Sequence, residues 1–307
     1  MHREARCAAK PTGVTTVSNA PVLLGMRMPD VGVWSERVAV ALGQNPSAFT
    51  GPGTNTYLIG TGPERILLDP GQGVPSYLPV LEQAMEQSGC RALQEIVLTH
   101  GHVDHIGGVR SVLERFGPLR VSKFPWPEAD ASHADLELTP LDDGAIVRTE
   151  GATLRGVFTP GHAPDHLCFV LEEEHALFSG DNVLGVGTTV IPNTSGDLAD
   201  YLRSLERLLT ERPRRIYPAH GPAIEDGVAK IREYIAHRHE RERQILGVLE
   251  HGPARVMDIV KVVYAAYPEA LHAAAAQSTT QHLRKLAREG RARADGADPV
   301  AARWELT

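Results

Sequence analysis

Apolar residues fall into short runs in the first two thirds of the chain and into helical spacing in the last third. Residues 56–59 (TYLI) and 65–69 (RILLD) flank Gly60-Thr-Gly-Pro63, the pattern of a β-hairpin. Residues 77–88 carry Leu78, Leu81 and Met85 at three- and four-residue intervals, with Pro75 ahead and Gly89 behind, which predicts a helix. Ile96-Val97-Leu98 reads as a strand that stops at Thr99. Further strands are expected at 153–158, 167–171, 176–179 and 215–217, each ending in proline, glycine or a polar cluster. Between the last two, Leu198, Tyr201, Leu202, Leu205, Leu208 and Leu209 mark an amphipathic helix that Asp197 can cap. Strands mixed with helices over residues 31–225 imply sheets covered by helices, an α/β layered architecture.

Beyond residue 225 the pattern changes. Helices are expected at 226–250, 256–267 and 271–289, the last ending at Gly290. Two short strands, 291–293 and 302–306, flank the turn Asp295-Gly-Ala-Asp-Pro299, so this segment resembles a small winged-helix module. The chain therefore divides into an N-terminal extension (1–30), expected to be flexible, a larger α/β domain (31–225) and a helical C-terminal domain (226–307).

With 307 residues, 42% hydrophobic and 22% charged, the composition is that of a folded globular protein. No run of about 18 apolar residues occurs, which argues against a membrane partner. The three cysteines, Cys7, Cys90 and Cys168, are odd in number and form no CxxC, so a reducing compartment, cytoplasm or mitochondrial matrix, is expected. The first twenty residues lack the apolar core of a secretory signal, so secretion is not expected. Residues 230–294 hold 12 lysines and arginines against 7 acidic residues, a local +5 within a total of −7. That leaves the remainder at −12, which argues against wholesale wrapping of nucleic acid while leaving a local anionic contact open.

The chemistry concentrates after the strand ending at Thr99. In His100-Gly-His-Val-Asp-His105, four metal-ligand side chains sit within six residues, followed by Gly107 and Gly108. On extended backbone His100 and His102 project to the same side and can reach one cation, while Asp104 and His105, where the chain turns, can face a second. Imidazole with carboxylate suits Zn²⁺, and also Fe or Mn, better than Ca²⁺ or Mg²⁺. Further ligands must come from elsewhere. His162, Asp181 and His220 each follow an apolar strand beside glycine or proline, as loops converging on one sheet edge do.

The ordered set H-x-H-x-D-H, Gly-His, Gly-Asp and Pro-x-His-Gly resembles the metallo-β-lactamase superfamily over residues 35–225. The resemblance implies an αββα sandwich with two Zn²⁺ (or Mn or Fe). His100, His102 and His162 would bind the first metal, Asp104, His105 and His220 the second, and Asp181 would bridge them. It also implies a hydroxide between the metals as nucleophile, with Asp104 orienting it as well as ligating, so that Asp104 and Asp181 carry the catalytic roles. Asp69 matches the family's supporting acidic residue, although a plain turn aspartate reads the same way. His166 is expected to orient or pack rather than ligate, and Cys168 to be buried and inert.

Gln44-Asn-Pro-Ser, Gly53-Thr-Asn-Thr-Tyr, Phe178-Ser-Gly-Asp-Asn and Ile231-Arg-Glu-Tyr-Ile are similar to the β-lactamase-like protein 2 group, as is the tail. That resemblance implies a single-stranded RNA endoribonuclease or, as in similar fungal enzymes, a thioesterase acting on an acyl carrier protein. On the RNA reading Arg284, Lys285, Arg288, Arg291 and Arg293 would hold the backbone; as a thioesterase the same arginines would meet an acidic carrier. A non-catalytic metal-binding interaction protein is the remaining alternative, disfavoured because all seven ligand positions hold competent residues. Residues 124–140 are expected to be an individual loop near the substrate.

Overall fold

The computed structural model describes residues 26–307. Cys7 and most of the expected N-terminal extension lie outside these residues. The described part of the extension is already packed, with Met28 buried and the Asp30 carbonyl accepting from Leu42 N–H at 2.8 Å.

Seven strands form the first sheet in chain order: β1 (Val31–Val33), β2 (Val38–Leu42), β3 (Asn55–Ile59), β4 (Glu64–Leu68), β5 (Ala92–Val97), β6 (Arg120–Lys123) and β7 (Leu138–Pro140). Pairing is antiparallel from β1 to β4 and parallel from β4 to β7. A second sheet holds β8 (Ile146–Thr149), β9 (Ala152–Phe158), β10 (Leu167–Leu171), β11 (Ala176–Gly180) and β12 (Arg215–Pro218), in the order β12-β11-β10-β9-β8. The helices of this part are α1 (Tyr77–Ser88), α2 (Val103–Ile106), α3 (Val109–Phe116), the single turn α4 (Pro127–Asp130) and α5 (Leu198–Glu211).

Side-chain alternation explains the layering. In β2, Val38 and Val40 face the second sheet, while Ala39 and Ala41 face α1 and α3. In β10, Leu167, Phe169 and Leu171 point between the sheets, and Cys168 and Val170 point to α5. Strands buried on both faces read as continuous apolar runs, as these do. Tyr57, Phe178 and Tyr217 fill the space between the sheets, with Phe178 centred 5.0 Å from each tyrosine ring. The result is helix, sheet, sheet, helix: the αββα sandwich that the family resemblance implied. Cys168 is fully buried, and burial pushes its thiol up to about 12, which keeps it unreactive.

The C-terminal domain consists of α6 (Gly227–Leu249), β13 (Ala254–Arg255), α7 (Val256–Val263), α8 (His272–Arg288), β14 (Ala292–Ala294) and β15 (Arg303–Leu306). Its three strands pair in the order β13-β15-β14, the wing of a winged helix. Helix α6 belongs to two cores: Ile231 and Tyr234 pack with α5, whereas Ile245 and Leu249 pack with Leu283, Leu286 and Trp304. One continuous helix thus fixes the module to the sandwich. Helix α7 is shorter than expected, ending at Val263 rather than at residue 267. Arg241 stops it by donating to the Val263 carbonyl at 3.0 Å while stacking on the Tyr264 ring.

Residues 124–140 are not a bare loop. They contain α4, a turn of 3₁₀ helix (Ala131–His133) and β7, whose pairing with β6 makes it the sheet edge.

The basic tail residues are paired, although Arg288, Arg291 and Arg293 stay largely exposed. Arg284 donates to the Asn193 carbonyl at 2.9 Å, and Arg288 pairs with Asp197 at 2.6 Å. Lys285 and Arg291 share Glu242, and Arg293 pairs with Glu305. Asp197 serves twice, because its carboxylate also accepts from the N–H groups of Ala199 and Asp200 at the start of α5. Asp197→Ala should lower stability by about 1–2 kcal/mol, most of it from the lost cap because Arg288 is exposed. Urea unfolding would measure this; an unchanged midpoint would contradict the capping role.

Candidate metal centre

Strand direction brings the chemistry to one rim. Strands β9, β11 and β12 point the same way, and His162, Asp181 and His220 each lie a few residues past their ends. In the first sheet parallel β4 and β5 end at Asp69 and at Thr99-His100. The two rims meet, and the structure gathers all seven sequence-predicted side chains there.

They form two groups. His100, His102 and His162 make the first; Asp104, His105, Asp181 and His220 make the second, with the donor atoms of each group within 4.8 Å of one another. In the first, His102 Nδ1 lies 3.0 Å from His100 Nε2 and 2.9 Å from His162 Nε2. In the second, His220 Nε2 lies 3.3 Å from Asp104 Oδ2 and 3.2 Å from Asp181 Oδ1, and His105 Nε2 is 3.4 Å from both oxygens. Asp181 turns Oδ1 to the second group and Oδ2 to His162 of the first, at 3.4 Å. One carboxylate oxygen thus faces each group, the placement of a bridging ligand.

The outer bonds fix which ring nitrogens face inward. Thr99 Oγ1 donates to Asp69 at 2.8 Å and accepts from His100 Nδ1 at 3.0 Å, leaving the His100 Nε2 lone pair directed to the centre. His105 Nδ1 donates to the same Asp69 carboxylate at 2.9 Å. His162 Nδ1 donates to the Val190 carbonyl at 2.8 Å. Such bonds on the far nitrogen are how proteins orient metal-binding histidines. Asp69 therefore orients one imidazole from each group, and the supporting reading of this residue is favoured over the plain turn. It sits at φ 55°, a left-handed conformation that aspartate tolerates better than most residues.

His166 lies beside the site but faces away from it: its Nε2 accepts from Asp181 N–H at 3.1 Å, and its Nδ1 meets Thr159 Oγ1 at 3.1 Å. It shapes the backbone that presents Asp181. Gly180, at φ 49°, is required there, since a Cβ would lie 2.6 Å from His166 Nε2.

The donor set fits two cations. His105 Nε2 and Asp181 Oδ1 are buried without a hydrogen-bond partner, and three imidazole nitrogens face one another in the first group. A tetrahedral Zn²⁺ with ligands at about 2.0–2.1 Å would hold its donors roughly 3.3 Å apart, close to the separations present. The electrostatics of the two groups differ. Burial, with His105 and His102 adding to it, holds His100 well below the ordinary histidine range, and burial with His162 pushes His102 down to about 4. Both are then neutral and ready to ligate. Burial also works against charge on His105 and His220, but Asp104 and Asp181 outweigh it, so His105 is held well above its usual value and His220 rises to about 9.

Several contributors carry no sequence signal of their own. Thr99 is a relay, the Val190 carbonyl is backbone, and Thr54 touches Asp104 from β3's approach at 3.4 Å. A cavity of about 430 Å³ opens over the centre. Phe49 and Val103 are exposed on its rim, and Gln277 of α8 reaches it from the C-terminal domain. Trp126, in the segment expected to lie near substrate, packs edge-on against His102.

Comparison with known proteins agrees with this geometry. Residues 49–220 match the metallo-β-lactamase superfamily, and residues 256–304 match the β-lactamase-associated winged helix domain. A β-lactamase-like protein 2 homolog from Drosophila melanogaster is 42% identical over 87% of this chain and 93% of its own length. The lactamase-like protein nscB of Aspergillus fumigatus is 40% identical over 90% of this chain and 86% of its own. Among solved structures, a metallo-β-lactamase family protein from Thermus thermophilus aligns with a TM-score of 0.73 at 25% identity, covering 90% of this chain and all of that one. Among the described residues no helix is long and apolar enough to cross a membrane.

Asp69→Asn removes the shared acceptor without touching a proposed ligand. Zinc affinity, measured by chelator competition, should fall about 10–100-fold. Unchanged affinity would contradict the orienting role of Asp69.

Proposed function

The chain belongs to the metallo-β-lactamase superfamily of metal-dependent hydrolases, and on that premise we propose that it hydrolyses an acyl thioester at a two-zinc centre. Two bound cations would supply activated water near neutral pH and stabilise the charge developing on the attacked carbonyl oxygen. His100, His102 and His162 would hold one and Asp104, His105 and His220 the other, with Asp181 offering an oxygen to each. Asp104 is kept ionised: burial would raise its carboxyl, but His105 and His220 together hold it well below the usual range. As a carboxylate beside the attacking water, Asp104 would be placed to orient it and to take its proton.

The observation that carries the substrate assignment is the lining of the cavity. Phe49, Val103, Leu184, Val186, Val190 and Pro192 give it an apolar wall, and no lysine or arginine lines it among the described residues. An RNA strand presents a charge at every phosphate, which proteins meet with cations. The tail arginines expected to do so are engaged with Asp197, Glu242, Glu305 and the Asn193 carbonyl. Phe49 could stack a base, but nothing beside it would neutralise the backbone.

The leaving group points the same way. The titratable side chains lining the cavity are all proposed ligands: His102, Asp104, His162, Asp181 and His220. A thiolate, with a thiol pKa of about 8.5, departs without a dedicated acid, whereas a ribose alkoxide is far more basic and requires one.

Zinc-loaded protein assayed side by side on an acyl thioester, single-stranded RNA and a chromogenic lactam should hydrolyse the thioester, with Asp181→Ala at background. RNA cleavage with an inert thioester would overturn the assignment. Lengthening the acyl chain should raise kcat/KM by up to roughly fourfold per methylene, about 0.8 kcal/mol each. Phe49→Ala should flatten that dependence, and an equally steep dependence in the variant would show that the chain does not lie against this wall.

A further inference from the structure

Residues 183–197, between Asp181 and α5, contain no strand or helix, yet they carry two contacts on which the metal centre relies. The Val190 carbonyl accepts the His162 Nδ1 proton, and Thr189 Oγ1 donates to the Asp181 carbonyl at 2.7 Å. Helices α6 and α8 grip this loop from outside. Tyr234 OH accepts from Leu184 N–H at 3.0 Å, Gln281 Nε2 donates to the Pro192 carbonyl at 2.8 Å, and Arg284 holds Asn193. Arg238 donates to the Thr189 carbonyl, one peptide from Val190.

Arg238 is an unusual residue to find there. It is only 4% exposed, and among the described residues no carboxylate pairs with it. Its guanidinium lies 5.2 Å from the centre of the Tyr201 ring, and its Nε has no partner. A buried, unpaired cation is costly, and an apolar side chain of similar volume would serve packing better. What an apolar side chain cannot do is hold the Thr189 carbonyl. Tyr201, beneath the guanidinium, donates to the Asn182 carbonyl at 2.6 Å, so the same contact also reaches the residue after Asp181.

We propose that Arg238 is a positioning residue for the metal centre, through which the C-terminal domain sets the affinity of the His100, His102 and His162 group. By pinning Thr189 it places the Val190 carbonyl against His162 Nδ1, which keeps the Nε2 lone pair facing His100 and His102. The inference rests on the reading that the seven side chains bind metal.

The test uses the full chain with Zn²⁺ and Co²⁺. In Arg238→Met, chelator competition should show one of the two bound ions weakened about 10–100-fold and the other unchanged. The Co²⁺ absorption of the variant should move toward that of His162→Ala, not that of His220→Ala. Thermal unfolding of the metal-free variant should occur at or above the wild-type midpoint, and Arg238→Lys should recover part of the affinity. Equal weakening of both ions, or wild-type affinity for both, overturns the inference alone. A wild-type chain that binds neither cation overturns the metal reading and this inference with it. If Arg238→Met does not fold, the double variant Gln281→Ala, Arg284→Ala loosens the same loop and should show the same selective loss; two ions held with wild-type affinity overturn the inference there too.

Discussion

Five imidazoles and two carboxylates lie together at the joint rim of two sheets, with His100, His105, His162 and His220 buried and the other three half-buried. Such a cluster is unfavourable by itself: imidazole nitrogens crowd one another, and the buried Oδ1 of Asp181 lacks a hydrogen-bond partner. Cations between the groups would resolve both conflicts at once. The fold builds this arrangement from distant segments, and each imidazole that faces inward is held by a bond on its outer nitrogen or by its backbone. The sandwich is the frame that permits it, because strands sharing a direction deliver their following loops to one edge.

Asp69 and the 183–197 loop illustrate how the support is distributed. Asp69 follows β4 in the first sheet and reaches His105 of the second group directly and His100 of the first through Thr99. The loop leaves the second sheet and supports His162 and Asp181, while α6 and α8 hold it in place. The winged-helix module is therefore attached to the centre through two shared helices, and its Gln277 lines the cavity. On the proposed reading, a domain that contributes no ligand would share in metal retention and in lining the substrate cavity.

The seven side chains that meet at the rim were legible in the sequence because each stands in a short motif at a strand end, where an apolar run, glycine or proline, and a polar side chain follow directly. The helices α1 and α5 were legible through periodicity, and α5 also through its capping residue Asp197. Other elements were not. β2 (VAVAL) is a continuous apolar run, which periodicity alone cannot assign to strand or helix. β7 and β8 have few buried positions and take their conformation from neighbouring strands. Thr99, the Val190 carbonyl and Arg238 act through contacts between residues far apart in the chain, which no local pattern encodes. The pairing of the tail basic residues was not legible for the same reason: their partners Asp197 and Glu242 are brought to them only by the docking of α8 against α5 and α6.

Anomalous diffraction from crystals equilibrated with Zn²⁺ tests the central claim most directly. The account predicts two peaks per chain, one bounded by His100 Nε2, His102 Nδ1 and His162 Nε2 and one by Asp104, His105 Nε2 and His220 Nε2, with an oxygen of Asp181 directed to each. A single peak elsewhere on the surface, or none at this rim, would contradict it.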